Sequence, residues 1–163
     1  MKKTIVALTA IFTMNIGISL AAPINDLSTG HTALGIGNDT FYIENKIADN
    51  FTLGIQNGNR DNDGNMNDIY GQIQLSDNLR GIIGSRNFDA ESKMYLGMAV
   101  NEPLSSGWDG YGSLIGGNGF KELQVGANLG IASNVDFNLN YHSFMPDLGS
   151  SKNGVGFGAT VKF

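Results

Sequence analysis

The chain holds two histidines, His31 and His142, and no cysteine, so acid–base or nucleophilic chemistry has few places to sit. His142 is followed by Ser143. Neighbours on an extended strand point to opposite faces, which denies the imidazole a direct bond to that hydroxyl; a base and its nucleophile would stand two apart. Asp136 shares the face of His142 but lies about 20 Å along a strand from it, at ~3.3 Å per residue. His31 reads as a solvated side chain near a strand start. No residue is therefore assigned to catalysis. The stretch Arg60-Asp-Asn-Asp-Gly-Asn-Met-Asn-Asp68 offers the oxygen ligands Ca²⁺ takes. Its Gly64 comes too early after Asp61 and Asp63 for an EF-hand loop, and no Glu closes the loop. It reads as a solvated external loop, with no metal assigned. Gly116-Gly-Asn-Gly119 reads as a turn, since no helix opening on Lys-Ser/Thr follows to make a phosphate cradle. No cofactor is expected, and the absence of Cys also removes disulfides, cysteine zinc sites and thiol catalysis.

What the sequence does supply is charge of both signs at regularly alternating positions. Glu44, Lys46, Arg80, Arg86, Lys93, Glu122, Asp136 and Lys162, with His142, Tyr42, Tyr70, Tyr95, Gln72 and Gln74, fall on one face of a period-two pattern. Acids and bases confined together favour internal ion pairs, whereas a ring of a single sign would suggest selective transport.

Strands must position such a face. The 163 residues include 23 Gly and only 15% charged residues, a composition unlike a helical bundle or a coiled coil. In Val135-Asp-Phe-Asn-Leu-Asn-Tyr-His142 apolar and polar residues alternate strictly. The same holds for Glu122 to Ile131 and for Gly154 to Phe163. One face is then apolar, carrying Leu123, Val125, Leu129, Phe137, Leu139, Phe157 and Val161, and the other is polar.

Short connectors at Ala48-Asp-Asn50, Ser76-Asp-Asn78, Asn101-Glu-Pro103 and Ala132-Ser-Asn134 suit tight hairpins. Longer connectors are expected near 58–67, 87–91, 112–118 and 145–153, so that short turns lie at one end and longer loops at the other. Leu104 to Tyr111 is the weakest strand, with poor alternation despite Trp108. This order fixes eight strands. Residues 31–47 add two more if the bend at Gly37-Asn-Asp-Thr40 is real, giving an all-β, antiparallel, up-and-down barrel of ten strands, with eight as the alternative.

The beginning of the chain reads as an export signal. Met1-Lys2-Lys3 precedes an apolar run to Ile18, and Ser19 and Ala21 place small residues three and one before a cut. Residues 1–21 are thus a signal peptide, 22–30 a lead-in and 31–163 a single barrel domain. Losing two lysines takes the formal charge from −5 to −7, a poor balance for binding nucleic acid.

A strand covering Val155 to Phe163 rises about 30 Å, and tilted by about 40° it projects to roughly 23 Å, close to the ~25 Å apolar band of an outer membrane. On the signal peptide, the alternation of short turns with longer loops, and the terminal strand ending in Phe163, the chain resembles the small outer-membrane β-barrel proteins of diderm bacteria. The resemblance implies an outer-membrane location, membrane lipid as a partner, and a terminal strand read by the barrel-assembly machinery through Val155, Phe157, Ala159, Val161 and Phe163. The expected function is a monomeric structural, surface-exposed or adhesion-type barrel without catalysis, its external ligand unspecified. A narrow pore for small solutes is the alternative, and a lipid-modifying enzyme or protease the next.

Overall fold

The computed structural model describes residues 22–38, 40–60, 64–88 and 91–163. Ten strands follow in order: β1 (Thr32–Gly37), β2 (Thr40–Ala48), β3 (Phe51–Arg60), β4 (Gly64–Gln74), β5 (Leu79–Phe88), β6 (Glu91–Ser105), β7 (Trp108–Gly117), β8 (Phe120–Ala132), β9 (Val135–Pro146) and β10 (Lys152–Lys162). Each pairs antiparallel with the next, and β1 pairs with β10 to close the barrel, with Leu34 opposite Val161 and Ile36 opposite Ala159. At the seam Thr32 N–H donates to the Phe163 carbonyl at 2.7 Å and Phe163 N–H to that of Thr32 at 3.0 Å. Closure leaves no unpaired edge, the condition a bilayer imposes on sheet. Residues 31–47 contribute two strands, which settles ten over eight.

Expectations about three connectors are corrected. The hairpin expected at Asn101-Glu-Pro103 is strand: β6 continues through Pro103, which pairs with Asp109 beside a register shift between Pro103 and Ser105. Such an irregularity near a strand end is where a sheet tolerates proline. The turn comes at Ser106-Gly107, where Gly107 adopts φ +81°, a left-handed conformation that glycine takes without a Cβ penalty. The supposed weak strand from Leu104 is the end of β6, this turn and the start of β7. The connectors expected over 58–67 and 112–118 are also largely strand, as β3 runs to Arg60, β4 starts at Gly64 and β7 runs to Gly117.

The outer surface is apolar. Leu123, Val125, Phe137, Phe157 and Val161 are exposed. Leu129 and Leu139 are half-buried on the same outer face, Leu129 standing opposite Phe137 and Leu139 opposite Phe157. They continue around the wall with Ile36, Ile55, Ile69, Ile83, Leu96, Met98 and Leu114. So large a continuous apolar exterior on a closed sheet, with polar side chains within, is the inside-out pattern of a transmembrane barrel. On β10, Val155 and Ala159 are half-buried, and Phe163, just after it, is exposed.

Inside, Tyr42, Tyr70, Tyr95 and Tyr111 stand directly opposite Gly35, Gly54, Gly84 and Gly126 on neighbouring strands. A Cβ on any of these glycines would collide with the tyrosine ring. The wall thus stays thin where the lumen carries its bulkiest side chains.

The signal peptide expected over 1–21 lies outside the described residues. Residues 22–30, the lead-in, precede β1. From the start of β1 they turn back into the barrel and bury Ile24, Asn25 and Leu27. Gly30 makes this reversal at φ +83°, its N–H donating to the Lys46 carbonyl at 2.7 Å.

Candidate functional site

The lumen is where the polar side chains converge, and it is organised in tiers. Nearest the short turns, Glu44 accepts from Tyr70 Oη at 2.9 Å, Gln72 Nε2 at 2.8 Å and Asn25 Nδ2 at 2.7 Å. Arg80 donates to the Asn25 carbonyl at 2.7 Å and to Gln72 Oε1 at 3.1 Å, and lies 3.5 Å from Asp26. The 22–30 segment is therefore built into this tier. Tyr42 and Thr160 hydroxyls are bonded to one another beside it. Lys162 pairs with Asp136 at 2.6 Å, and Lys46 donates to Gln74 at 3.3 Å.

Midway, amides bond one another. Asn138 Nδ2 donates to Tyr111 Oη at 2.9 Å and to Asn128 Oδ1 at 2.8 Å, and Asn140 Nδ2 donates to Asn138 Oδ1 at 2.8 Å. Asn128 in turn donates to the Ile24 carbonyl at 3.0 Å.

Toward the loops, Arg86 stands between two carboxylates. Its Nε donates to Asp68 Oδ2 at 2.9 Å, its Nη2 lies 2.8 Å from the same oxygen, and its Nη1 bonds Glu122. Tyr95 Oη also donates to Asp68 at 2.9 Å. The guanidinium sits 5.3 Å from the ring centres of both Tyr95 and Phe120, within cation–π range. Phe120 stacks on Phe144 with centroids 5.6 Å apart, and Met66 on β4 is also buried.

Of the residues singled out in the sequence, Glu44, Arg80, Arg86, Glu122, Asp136 and His142 are buried in the lumen. Lys46 and Lys162 are half-buried at the short-turn end, and Lys93 lies 4.0 Å from Glu91 at the loop end. His142 Nε2 faces the Glu122 carboxylate at 3.4 Å. Ser143 points to the other face of β9, so the two do not form a nucleophile and base.

Sequence reasoning missed Asp68, Asn25 and Asp26. Asp68 was expected in a solvated loop. It lies instead on β4, buried and bonded to Arg86, and its signal was position: it stands two residues before Tyr70, on the same face.

Two small cavities lie in the lumen among the described residues. A cavity of about 40 Å³ lies among Ala22, Gln56, Asp68, Arg86 and Glu122, room for about three waters, and one of about 20 Å³ lies beside Tyr42 and Asn138. Larger concavities, of about 470 and 480 Å³, are on the outer wall, one against Phe41, Ile55 and Ile69 and the other against Leu96, Met98 and Leu114.

No protein-family model matches the chain, and no curated protein matches it in sequence. Solved structures similar to it include a de novo designed transmembrane β-barrel, at 13% identity over 85% of this chain and 100% of the other, with a TM-score of 0.44. The N-terminal β-barrel domain of OprF from Pseudomonas aeruginosa is similar at 12% identity over 83% of this chain and 98% of that one, with a TM-score of 0.43. The translocator domain of the autotransporter NalP from Neisseria meningitidis is similar at 10% identity over 99% and 94%, with a TM-score of 0.39. At such identities and scores, strand count and closure rest on the pairing of this chain's own strands.

Proposed function

We propose that the protein is a small integral outer-membrane β-barrel with a structural, surface-exposed or adhesion-type role, without catalysis and without a conducting lumen. The observation that carries this reading is the filled interior. Carboxylates and guanidinium groups pair within the lumen, residues 22–30 run into it from the short-turn end, and Phe120 and Phe144 are buried together toward the loop end. The apolar outer wall supports membrane lipid as its surroundings. In this reading residues 1–21 are removed on export, both ends of the barrel domain face the periplasm with the short turns, and β10 with its terminal Phe163 is engaged by the barrel-assembly machinery. The short loops offer little area outside the membrane for a large interface, in keeping with a monomer.

A gated pore is the second reading. One observation favours it: beside the burial of Ile24 and Leu27, the polar contacts of the 22–30 segment are hydrogen bonds and an ion pair to exposed Asp26, contacts that can be released. Planar-bilayer recording of the mature protein, checked as folded by its heat-modifiable migration on a denaturing gel, decides between them. Absence of steady conductance supports the closed barrel. A steady open level replaces it with the pore.

A further inference from the structure

Ala22 lies in the lumen, and its main-chain nitrogen donates to Gln56 Oε1 at 3.0 Å. Gln56 is the direct cross-strand partner of Asp68. Ala22, Gln56, Asp68, Arg86 and Glu122 all line the same cavity of about 40 Å³. Charges in that wall do not cancel, since two carboxylates share the one guanidinium of Arg86; His142, against Glu122, adds a cation only when protonated. In an interior that water barely reaches, an uncompensated anion favours a nearby positive charge.

The position of Ala22 is set from further along the segment. Asn128 holds the Ile24 carbonyl, Arg80 holds that of Asn25, and Asn25 reaches Glu44. As an internal residue, Ala22 offers this site a single N–H and no charge. Hydrolysis of the Ala21–Ala22 bond by a signal peptidase changes that: one water is consumed, Ala21 departs with a carboxylate, and the Ala22 amine takes up the one proton the new carboxyl group releases, forming an ammonium. It then has three donors and a positive charge.

We propose that this new α-ammonium is the ligand of a site built into the barrel wall, formed by Gln56 Oε1 and the Asp68 carboxylate with cavity water, so that cleavage before Ala22 locks residues 22–30 in the lumen. The proposal rests on the export reading of residues 1–21 and is independent of whether the barrel conducts.

The test uses mature protein isolated from outer membranes. Its intact mass first identifies the starting residue, which is expected to be Ala22. Acetylation with a succinimidyl ester near neutral pH, followed by mass analysis of the N-terminal peptide, then measures the reactivity of the α-amine. In the folded barrel it is expected to react about tenfold or more slowly than in the urea-unfolded chain, because modification requires local opening. Gln56→Leu, still heat-modifiable, should return most of that reactivity. A correct mass with equal reactivity folded and unfolded overturns the docking alone. A mass showing another starting residue overturns the cleavage reading, and the docking with it.

Discussion

Replacing Arg86 by Met keeps an unbranched side chain between the Tyr95 and Phe120 rings and removes the charge that Asp68 and Glu122 share. Hydrogen bonds to charged groups contribute about 1.5–3 kcal/mol each, but the larger consequence is what remains. Asp68 and Glu122 side chains are 1% and 4% exposed, so bulk water does not reach them, and the few waters the 40 Å³ cavity can hold do not replace a full positive charge. Breaking a buried pair by removing one partner costs about 3–5 kcal/mol, a factor of roughly a hundred to a few thousand in the folding equilibrium. Urea unfolding of the protein in lipid vesicles, followed through the fluorescence of its one tryptophan, Trp108, reads this directly. The combination of Arg86→Met with Asp68→Asn and Glu122→Gln removes all three charges of this ion-pair cluster and should recover most of the loss, to within about 1–2 kcal/mol of wild type, because the buried anions are gone. A loss below about 1 kcal/mol for Arg86→Met would refute the reasoning. So would a triple variant as unstable as the single one, which would assign the cost to packing against the rings.

Leu139→Arg should cost about 2–4 kcal/mol when placed near the bilayer midplane; a neutral effect on vesicle refolding, with Asn138→Arg ruinous, would invert the facing. Gly84→Ala drives a Cβ into the Tyr95 ring, whose hydroxyl is fixed on Asp68, and should lower stability by about 1–3 kcal/mol as an overpacked site does. The control is Gly81→Ala, whose added Cβ would meet Leu75 at 3.7 Å, an ordinary contact expected to be nearly neutral in the same urea titration. Trp108, outward and 38% exposed, should shift its emission to the blue on insertion and lose access to aqueous iodide; quenching as efficient as in the unfolded chain would contradict its position against lipid.

Strand number and facing were legible because β8, β9 and β10 alternate almost without interruption, and because the bend after Gly37 separates two segments that each alternate. Loop boundaries were less so. Glycine and asparagine usually punctuate chains, but in a narrow barrel glycine makes room for tyrosines on the next strand, and Asn57 and Asn67 bond each other across strands at 2.7 Å. The same bias placed a turn at Pro103 and hid the one at Gly107. Asp68 was obscured by its acidic neighbours, though its spacing from Tyr70 and Gln72 carried its direction. The placement of residues 22–30 had no local signal, since Ile24 and Leu27 are too few to show a period. Their partners Glu44, Arg80 and Asn128 are brought to them only by closure of the barrel.

The central claim is that one face of every strand meets lipid and the other a closed, water-poor interior. With no native cysteine, single-cysteine variants at positions 137 to 142 of β9 can each carry a nitroxide in protein refolded into vesicles. Collision with oxygen, which partitions into lipid, should be high at positions 137, 139 and 141 and low at 138, 140 and 142, with a water-soluble nickel chelate reaching the even positions poorly. Even positions open to the nickel chelate, or oxygen contact without alternation, would contradict the account.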